Sequence, residues 1–230
     1  MSQENGFKDY VLKIASERNA GADPKSIQSV KHEDEPFIND SDDSPGDLNA
    51  LFDEFNIIEP PLGDVEELWD PRIERFFNRN ATLREEFEAF FSNLGLVYFQ
   101  PHELLVMGGN NASGPCKGKN GIPPKSLWPN MVPTILALDE IRGLLGYRIR
   151  TTSVYRSPEY NECLRVTLGN SGVAKFSQHL NFRAIDFAGY QGVPSDWGNA
   201  VEKVREKWGL WTRTYKSFVH IDSRNFKRTN

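Results

Sequence analysis

The chain is poor in three reactive or soft residue types: it has two cysteines, four histidines and three methionines in 230 residues. Cys116 and Cys163 are too few, and too far apart in sequence, for a disulfide-scaffolded mini-domain or a Cys-based zinc site. Two readings stand: they pair in an oxidising compartment, or they remain free thiols. Long hydrophobic runs are also missing. No stretch approaches the roughly 18 apolar residues of a membrane span, and the opening "MSQENGFKDYVLKIASERNAG" has no apolar core of a secretion signal. The expectation is a soluble protein with no transmembrane segment. Finally, Lys and Arg are absent from Glu33 to Asp70, a stretch with fourteen acidic residues.

What that acidic stretch lacks, the rest of the chain supplies. Residues 94 to 230 carry eighteen Lys and Arg against ten Asp and Glu, so the net charge of −5 conceals a domain of about +8. Such a domain suits polyanions, among them cell-wall polymers, membrane surfaces and nucleic acid. No recognised nucleic-acid motif accompanies the charge, and a nucleic-acid partner is not expected. Residues 1–65 read as an acidic, largely disordered arm, since their composition cannot bury enough apolar surface to offset ordering entropy. A short amphipathic helix over 8–18 and an apolar, acidic island over 48–58, "LNALFDEFNII", interrupt it. The island is either a docking peptide for a partner or a sticky spot in a linker.

Residues 66–94 form a helical segment, with one pattern over 66–78 interrupted by Pro71 and a second over 82–93. Thr82 with Glu85 makes a capping-box arrangement, and Phe87, Phe90, Phe91 and Leu94 make an apolar stripe for packing. Residues 95–230 read as a compact α+β domain, a small antiparallel sheet with flanking helices. Helical spacing runs over 131–145 through Ile135, Leu138, Ile141 and Leu145, and Gly146 stops it. A second helix is expected over 195–208, with Ala200, Val201, Val204 and Trp208 inward. Strands are expected at "YRIRTTS" (147–153), "AIDFA" (184–188) and "SFVHID" (217–222). The loop over 107–125 is glycine-rich but lacks the spacing of a phosphate cradle.

Two segments hold chemistry. In "SQHLNFRAIDF" (177–187), Asp186 sits on an apolar strand, where a charge is costly unless paired or bound to metal. His179 precedes it by a loop that can fold back beside it. In "FVHID", His220 and Asp222 share a strand face. If the two strands are neighbours, His179, Asp186 and His220 make a set of two imidazoles and one carboxylate, which leaves a tetrahedral zinc ion one open position. The plainer alternative is a capping histidine, a salt-bridged aspartate and an ordinary strand histidine.

These segments resemble the zinc D-alanyl-D-alanine carboxypeptidase family of murein peptidases, whose pattern is Ser-x-His-x-x-Gly-x-Ala-x-Asp followed by a distal His-x-Asp or His-x-His. Upstream, "YFQPHELL", "NGIPPKSLWPNMVPTILALDEIRGLLG" and "IRTTSVYRSPEYN" are similar to the family's opening segment, first long helix and Ser-Gly-Tyr-Arg-Ser strand end, so the resemblance covers about 95–226. It implies that His179, Asp186 and His220 bind Zn2+, that Arg156 faces the substrate carbonyl, and that Ser153, Tyr155 and Ser177 shape the substrate site. The implied activity is hydrolysis of peptidoglycan stem peptides, as a carboxypeptidase or an endopeptidase acting on muropeptides. The alternative is a cell-wall binding or assembly module that keeps the fold without turnover. Action is expected at the bacterial cell wall or periplasm, with phage-type lysis, a virion or dedicated secretion as the delivery route, or else an incomplete gene model.

The sequence departs from the family at three places. Val154 and Phe182 replace glycines, which costs energy if those positions need positive φ. The family's general base, a glutamate three residues before the last histidine or a histidine two before it, is Ser217 or Phe218 here. Asp222 remains, either as the proton acceptor or as a group that orients a ligand histidine.

Overall fold

The computed structural model describes residues 70–169 and 172–227. The expected helix over 8–18, the acidic arm and the 48–58 island lie outside the described residues. The first described element, α1 (Pro71–Phe77), begins at the proline that the sequence pattern treats as an interruption. Proline lacks only an N–H that has no helical partner in the first turn. Asp70 caps this end, its carboxylate accepting from the Arg72 backbone N–H at 2.8 Å. Helix α2 (Ala81–Ser92) starts one residue earlier than expected, with Asn80 in the N-cap position. The Thr82–Glu85 box therefore does not form: Thr82 is already inside the first turn, and the Asn80 amide turns back to donate to Phe76 O at 3.0 Å. The aromatic stripe does pack. Phe87 and Phe91 are fully buried, and Phe87 meets Trp128 edge-on at 5.1 Å.

Helix α3 (Trp128–Leu145) begins a turn before the periodic pattern. It is buried on nearly all sides, with Met131, Val132, Ile135, Leu136, Leu138 and Ile141 excluded from solvent, so it is the post around which the domain is built. Gly146, at φ 72°, closes it in the left-handed conformation that glycine adopts without penalty. Two polar groups fix what packs on it. Buried Asp139 accepts from the backbone N–H groups of Val97 and Tyr98 at 3.1 and 2.9 Å. The Thr134 hydroxyl donates to Arg183 O at 2.8 Å.

The sheet has four strands where three are expected: β1 (Ile149–Ser153), β2 (Ala184–Gly189), β3 (Trp211–Thr214) and β4 (Val219–Asp222), antiparallel throughout in the order β1-β2-β4-β3. The extra strand, "WTRT", is an edge strand of four half-exposed or exposed residues, too short and too evenly exposed to stand out as an alternating pattern. One face, carrying Ile149, Ile185, Phe187, Val219 and Ile221, is core. The expected helix over 195–208 forms as two pieces, α5 (Pro194–Glu202) and α6 (Arg205–Trp208) after a short α4 (Pro158–Glu162), and it covers this face. The approach is close: a Cβ at Gly198 would lie 2.5 Å from the Thr214 hydroxyl. Ala200, Val201, Val204 and Trp208 are buried, as their spacing predicts.

Within the loop over 107–125, two short 3-10 turns, Gly109–Asn111 and Gly114–Cys116, lead into a disulfide between Cys116 and Cys163. Of the two readings of the cysteines, the structure has the pair. Asn120 fixes the loop to the segment after β1, donating to Tyr155 O at 3.0 Å and accepting from the Ser157 N–H at 2.9 Å. Among the described residues no helix is long and apolar enough to cross a membrane.

Candidate metal centre

The opposite face of the sheet carries the polar groups. Register places Ser153 opposite Asp186, Asp186 opposite His220, and His220 opposite Arg213, one row across all four strands. A bulge between Thr151 and Ser153 shifts β1 by one residue, which turns Ser153 toward this row. The cross-strand pairing brings His220 Nδ1 to 2.7 Å from Asp186 Oδ1.

His179 arrives from a different segment. It lies in a 3-10 turn, Gln178–Asn181, capped by Ser177, whose hydroxyl accepts from the His179 N–H at 3.3 Å. The chain then reverses into β2 through Phe182, the one described non-glycine residue with positive φ, at 48°. This is the position where the resemblance expects glycine. The backbone keeps the glycine conformation, and the added ring is fully buried against Phe91 and Tyr155. Val154, the other replaced glycine, is not in that conformation and is simply buried. Its carbonyl lies 2.7 Å from His179 Nδ1. A carbonyl only accepts, so Nδ1 carries the proton and Nε2 keeps its lone pair, 3.2 Å from Asp186 Oδ2.

Electrostatics follow from this crowding. Burial alone would push the Asp186 carboxyl up, but His179 and His220 beside it reverse the effect and hold it far below the usual carboxylate range. Burial, helped by Arg156, pushes His179 down toward the neutral form despite Asp186. His220 goes the other way: burial opposes its charge, yet hydrogen bonds with Asp186 and Asp222 push it up to about 9. Arg156 adds a further contact, its Nη2 donating to Asp186 Oδ2 at 3.1 Å and its Nε to the Ser153 hydroxyl at 3.1 Å.

Ligand atoms of His179, Asp186 and His220 all lie within 4.8 Å of one another. Two imidazole nitrogens and one carboxylate oxygen from separate segments, with the second nitrogen of each ring already bonded elsewhere, form a donor set suited to a borderline-soft divalent ion such as zinc. Comparison with known protein families gives a match to Peptidase M15 over residues 97–222, more than half of the chain and the part that contains the whole row. The chain belongs to the Peptidase M15 family. M15 proteins are peptidases of the zinc D-Ala-D-Ala carboxypeptidase type, and this member is accordingly an α+β peptidase whose substrate is a peptide. No curated protein and no solved structure matches the chain.

The other residues singled out by the M15 pattern are spread around this centre. Ser153, Arg156 and Ser177 adjoin it. The Tyr155 ring instead packs in the core against Phe182, and its backbone carbonyl accepts from Asn120 of the 107–125 loop. Asp222 is fully buried. It accepts from Arg224 through the backbone N–H at 3.0 Å and through Nε and Nη2 at 2.9 Å each, and lies 3.1 Å from His220 Nε2. Sequence reasoning missed Arg224 and Trp211. The Arg224 guanidinium stacks over the Trp211 ring at 4.5 Å, and that ring meets His220 edge-on at 5.4 Å. Arg224 had a signal in the sequence, since it continues the alternation of His220 and Asp222 by one more step. The Val154 carbonyl had none, because a backbone group is the same for every residue type.

Proposed function

We propose that this M15 peptidase is zinc-dependent and hydrolyses peptidoglycan stem peptides, as a D,D-carboxypeptidase or murein endopeptidase, at the bacterial cell wall or periplasm. The observation that carries the reading is the convergence of His179 Nε2, an Asp186 oxygen and His220 Nδ1, with the Arg156 guanidinium on the same carboxylate. His179, Asp186 and His220 would hold the metal. Zinc bound there supplies Lewis-acid polarisation of the scissile carbonyl and activation of water near neutral pH.

The chain's own residues do the rest. The Val154 carbonyl fixes the His179 tautomer and presents Nε2. Asp222 does the same for His220 by accepting from Nε2, which leaves Nδ1 for the ligand role. Arg156, half on Asp186 and half on Ser153, is placed to reach the carbonyl oxygen as negative charge develops, a contribution of roughly 2.7–4 kcal/mol when such a donor is removed elsewhere. The proton-accepting role suits Asp222 less well than the orienting role, because Arg224 and His220 already occupy both of its oxygens and its carboxylate is buried.

That sequestration also favours a second reading, a cell-wall binding or assembly module that holds zinc without turnover. Digestion of purified muropeptides with wild type and His179→Ala, followed by mass spectrometry, separates the two. The peptidase reading expects metal-dependent loss of a terminal D-alanine or cleavage of a cross-link, and intact muropeptides from the zinc-loaded wild type sink it.

A further inference from the structure

The Cys116–Cys163 disulfide lies in a small apolar cluster apart from the main core, made of Cys116, Tyr160, Cys163, Leu164 and Val173. Two of these five residues are the bonded pair itself, so little burial is left to hold the cluster once that bond is open. Both cysteines lead straight to the metal centre. Four residues after Cys116 comes buried Asn120, whose amide donates to Met107 O at 3.1 Å and to Tyr155 O at 3.0 Å. Its oxygen accepts from the Ser157 N–H at 2.9 Å. Arg156 is the residue between these two contacts, and its own N–H donates to His179 O at 3.2 Å. Cys163 opens the π turn Cys163–Thr167 that follows α4, and Asn161 just before it donates to Ala174 O at 3.0 Å, on the approach to the Ser177 cap. The loop and α4 are also joined by the Ser157 hydroxyl, which donates to Lys119 O, and by an ion pair of Lys119 with Glu159. The Glu159 side chain is 69% exposed, so that pair contributes little.

We propose that Asn120 is a positioning residue for Arg156 and that oxidation of Cys116 and Cys163 sets it, so that the arginine side of the site is complete only in the disulfide form; the proposal rests on the peptidase reading. Formation of the S–S bond takes two electrons and two protons from the thiols and passes them to an oxidising disulfide, which leaves as a dithiol. The link from bond to arginine is short. With the bond closed, the 116–120 loop is pinned to α4, and the Asn120 amide clamps the peptide groups on both sides of Arg156. With the bond open, the loop regains the freedom that closure removed, and the clamp holds for only part of the time. A guanidinium displaced by about 1 Å from the developing charge loses about 10²-fold in rate. The ligand set stays together, because Asp186 and His220 are fixed by the β2–β4 register and His179 by its own turn. The main core, built on residues outside the disulfide cluster, stays folded.

Amide exchange followed by NMR tests the link without turnover, in the metal-free full-length protein. The dithiol form, prepared with a phosphine reductant and checked by counting thiols, should exchange the Arg156 and Ser157 amides about tenfold faster than the disulfide form, the effect of one net hydrogen bond. Ile135 to Leu138 of α3 should not change. Asn120→Ala keeps the disulfide and is expected to give the same acceleration at the two amides. Should that variant not fold, Asn120→Ser is measured instead, with a several-fold acceleration expected. Loaded with zinc, the dithiol form and Asn120→Ala should each keep one zinc per chain and the wild-type KM for a muropeptide, while kcat falls about 10- to 100-fold. A mere loss of folded protein would lose zinc in proportion. Unchanged exchange at Arg156 and Ser157 overturns the proposal, and so does equal acceleration across α3, which would make the disulfide a staple for the whole domain. Exchange coupling without muropeptide cleavage by the disulfide form keeps the positioning role and sinks the peptidase reading, whereas cleavage at full kcat by the dithiol form and Asn120→Ala does the reverse.

Discussion

Asp186 and His220 stand directly opposite each other on β2 and β4, with a carboxylate oxygen 2.7 Å from Nδ1 of the ring. A cross-strand pair of this kind is set by register alone, so the two groups cannot separate unless the sheet slips. His179 is held differently, by its 3-10 turn and the Val154 carbonyl. Removing any one of the three should abolish stoichiometric zinc binding. His179→Ala, Asp186→Asn and His220→Ala are each expected to fall from one zinc per chain to none by atomic absorption after dialysis. A variant that keeps its zinc removes that residue from the ligand set.

Asp222 predicts a graded effect. Asp222→Asn keeps the size and one acceptor but loses the charge that answers Arg224, so zinc affinity should fall roughly 10- to 100-fold while the metal still binds. Chelator competition measures it. Arg224→Gln acts one step further out and should lose less. An Asp222→Asn protein with wild-type affinity but no cleavage would instead assign Asp222 to proton transfer.

Phe182 combines a penalty with a benefit. Its positive φ costs roughly 1–2 kcal/mol for a residue other than glycine, while its fully buried ring is worth roughly 3–5 kcal/mol against alanine. Burial wins. Phe182→Ala should destabilise by the larger amount because alanine keeps the backbone penalty, and Phe182→Gly should be the milder of the two by about 1 kcal/mol. Urea midpoints of the two variants decide the order, and alanine milder than glycine contradicts the account.

Cys116 and Cys163 close a loop with a sequence separation of 47. In the chain-entropy model a loop of that length stabilises by about 4 kcal/mol. Cys116→Ala/Cys163→Ala is expected to lose a large part of this, and reduction of the wild type should give the same shift in denaturation midpoint. A shift below about 1 kcal/mol would place the stability of this segment in the Asn120 hydrogen bonds instead.

Glu103 gives a pH signature away from the metal centre. Burial pushes its carboxyl up, against a hydrogen bond from the Gln100 N–H and the charge of Arg142. A raised acid binds its proton more tightly when folded, so its contribution to stability is present at low pH and lost as pH rises above the ordinary value of 4.5. Wild type should therefore lose stability relative to Glu103→Gln as pH rises from about 4 to 6. Parallel pH curves for the two proteins contradict this.

Much of this was readable from residue order, for reasons that differ by element. The core helix and the two central strands announce themselves because burial on a 3.6- or 2-residue period leaves a trace in hydrophobicity. The pairing of Asp186 with His220 was accessible as a condition, since each strand's inward face is fixed by parity, but only the sheet order could satisfy it. Edge strand β3, half-exposed and four residues long, leaves no such trace. The cap of α2 was misread because Asn80 and Thr82 are both good cap residues two positions apart, and the preceding helix, through Phe76 O, decides between them. The resemblance puts Tyr155 beside Arg156 at the substrate site, but neighbouring side chains on a strand end diverge, and the Tyr155 ring packs against Phe182 in the core.

The division of the sheet into an apolar side and a polar side has a consequence for anyone mapping this protein by saturation mutagenesis. Along β2 and β4 the phenotype should flip at every position: Ile185, Phe187, Val219 and Ile221 should fail by low yield, and Asp186 and His220 by silence in a well-expressed protein. A scan read for abundance and turnover in parallel would draw the two sides of one strand as interleaved combs, each filling the other's gaps.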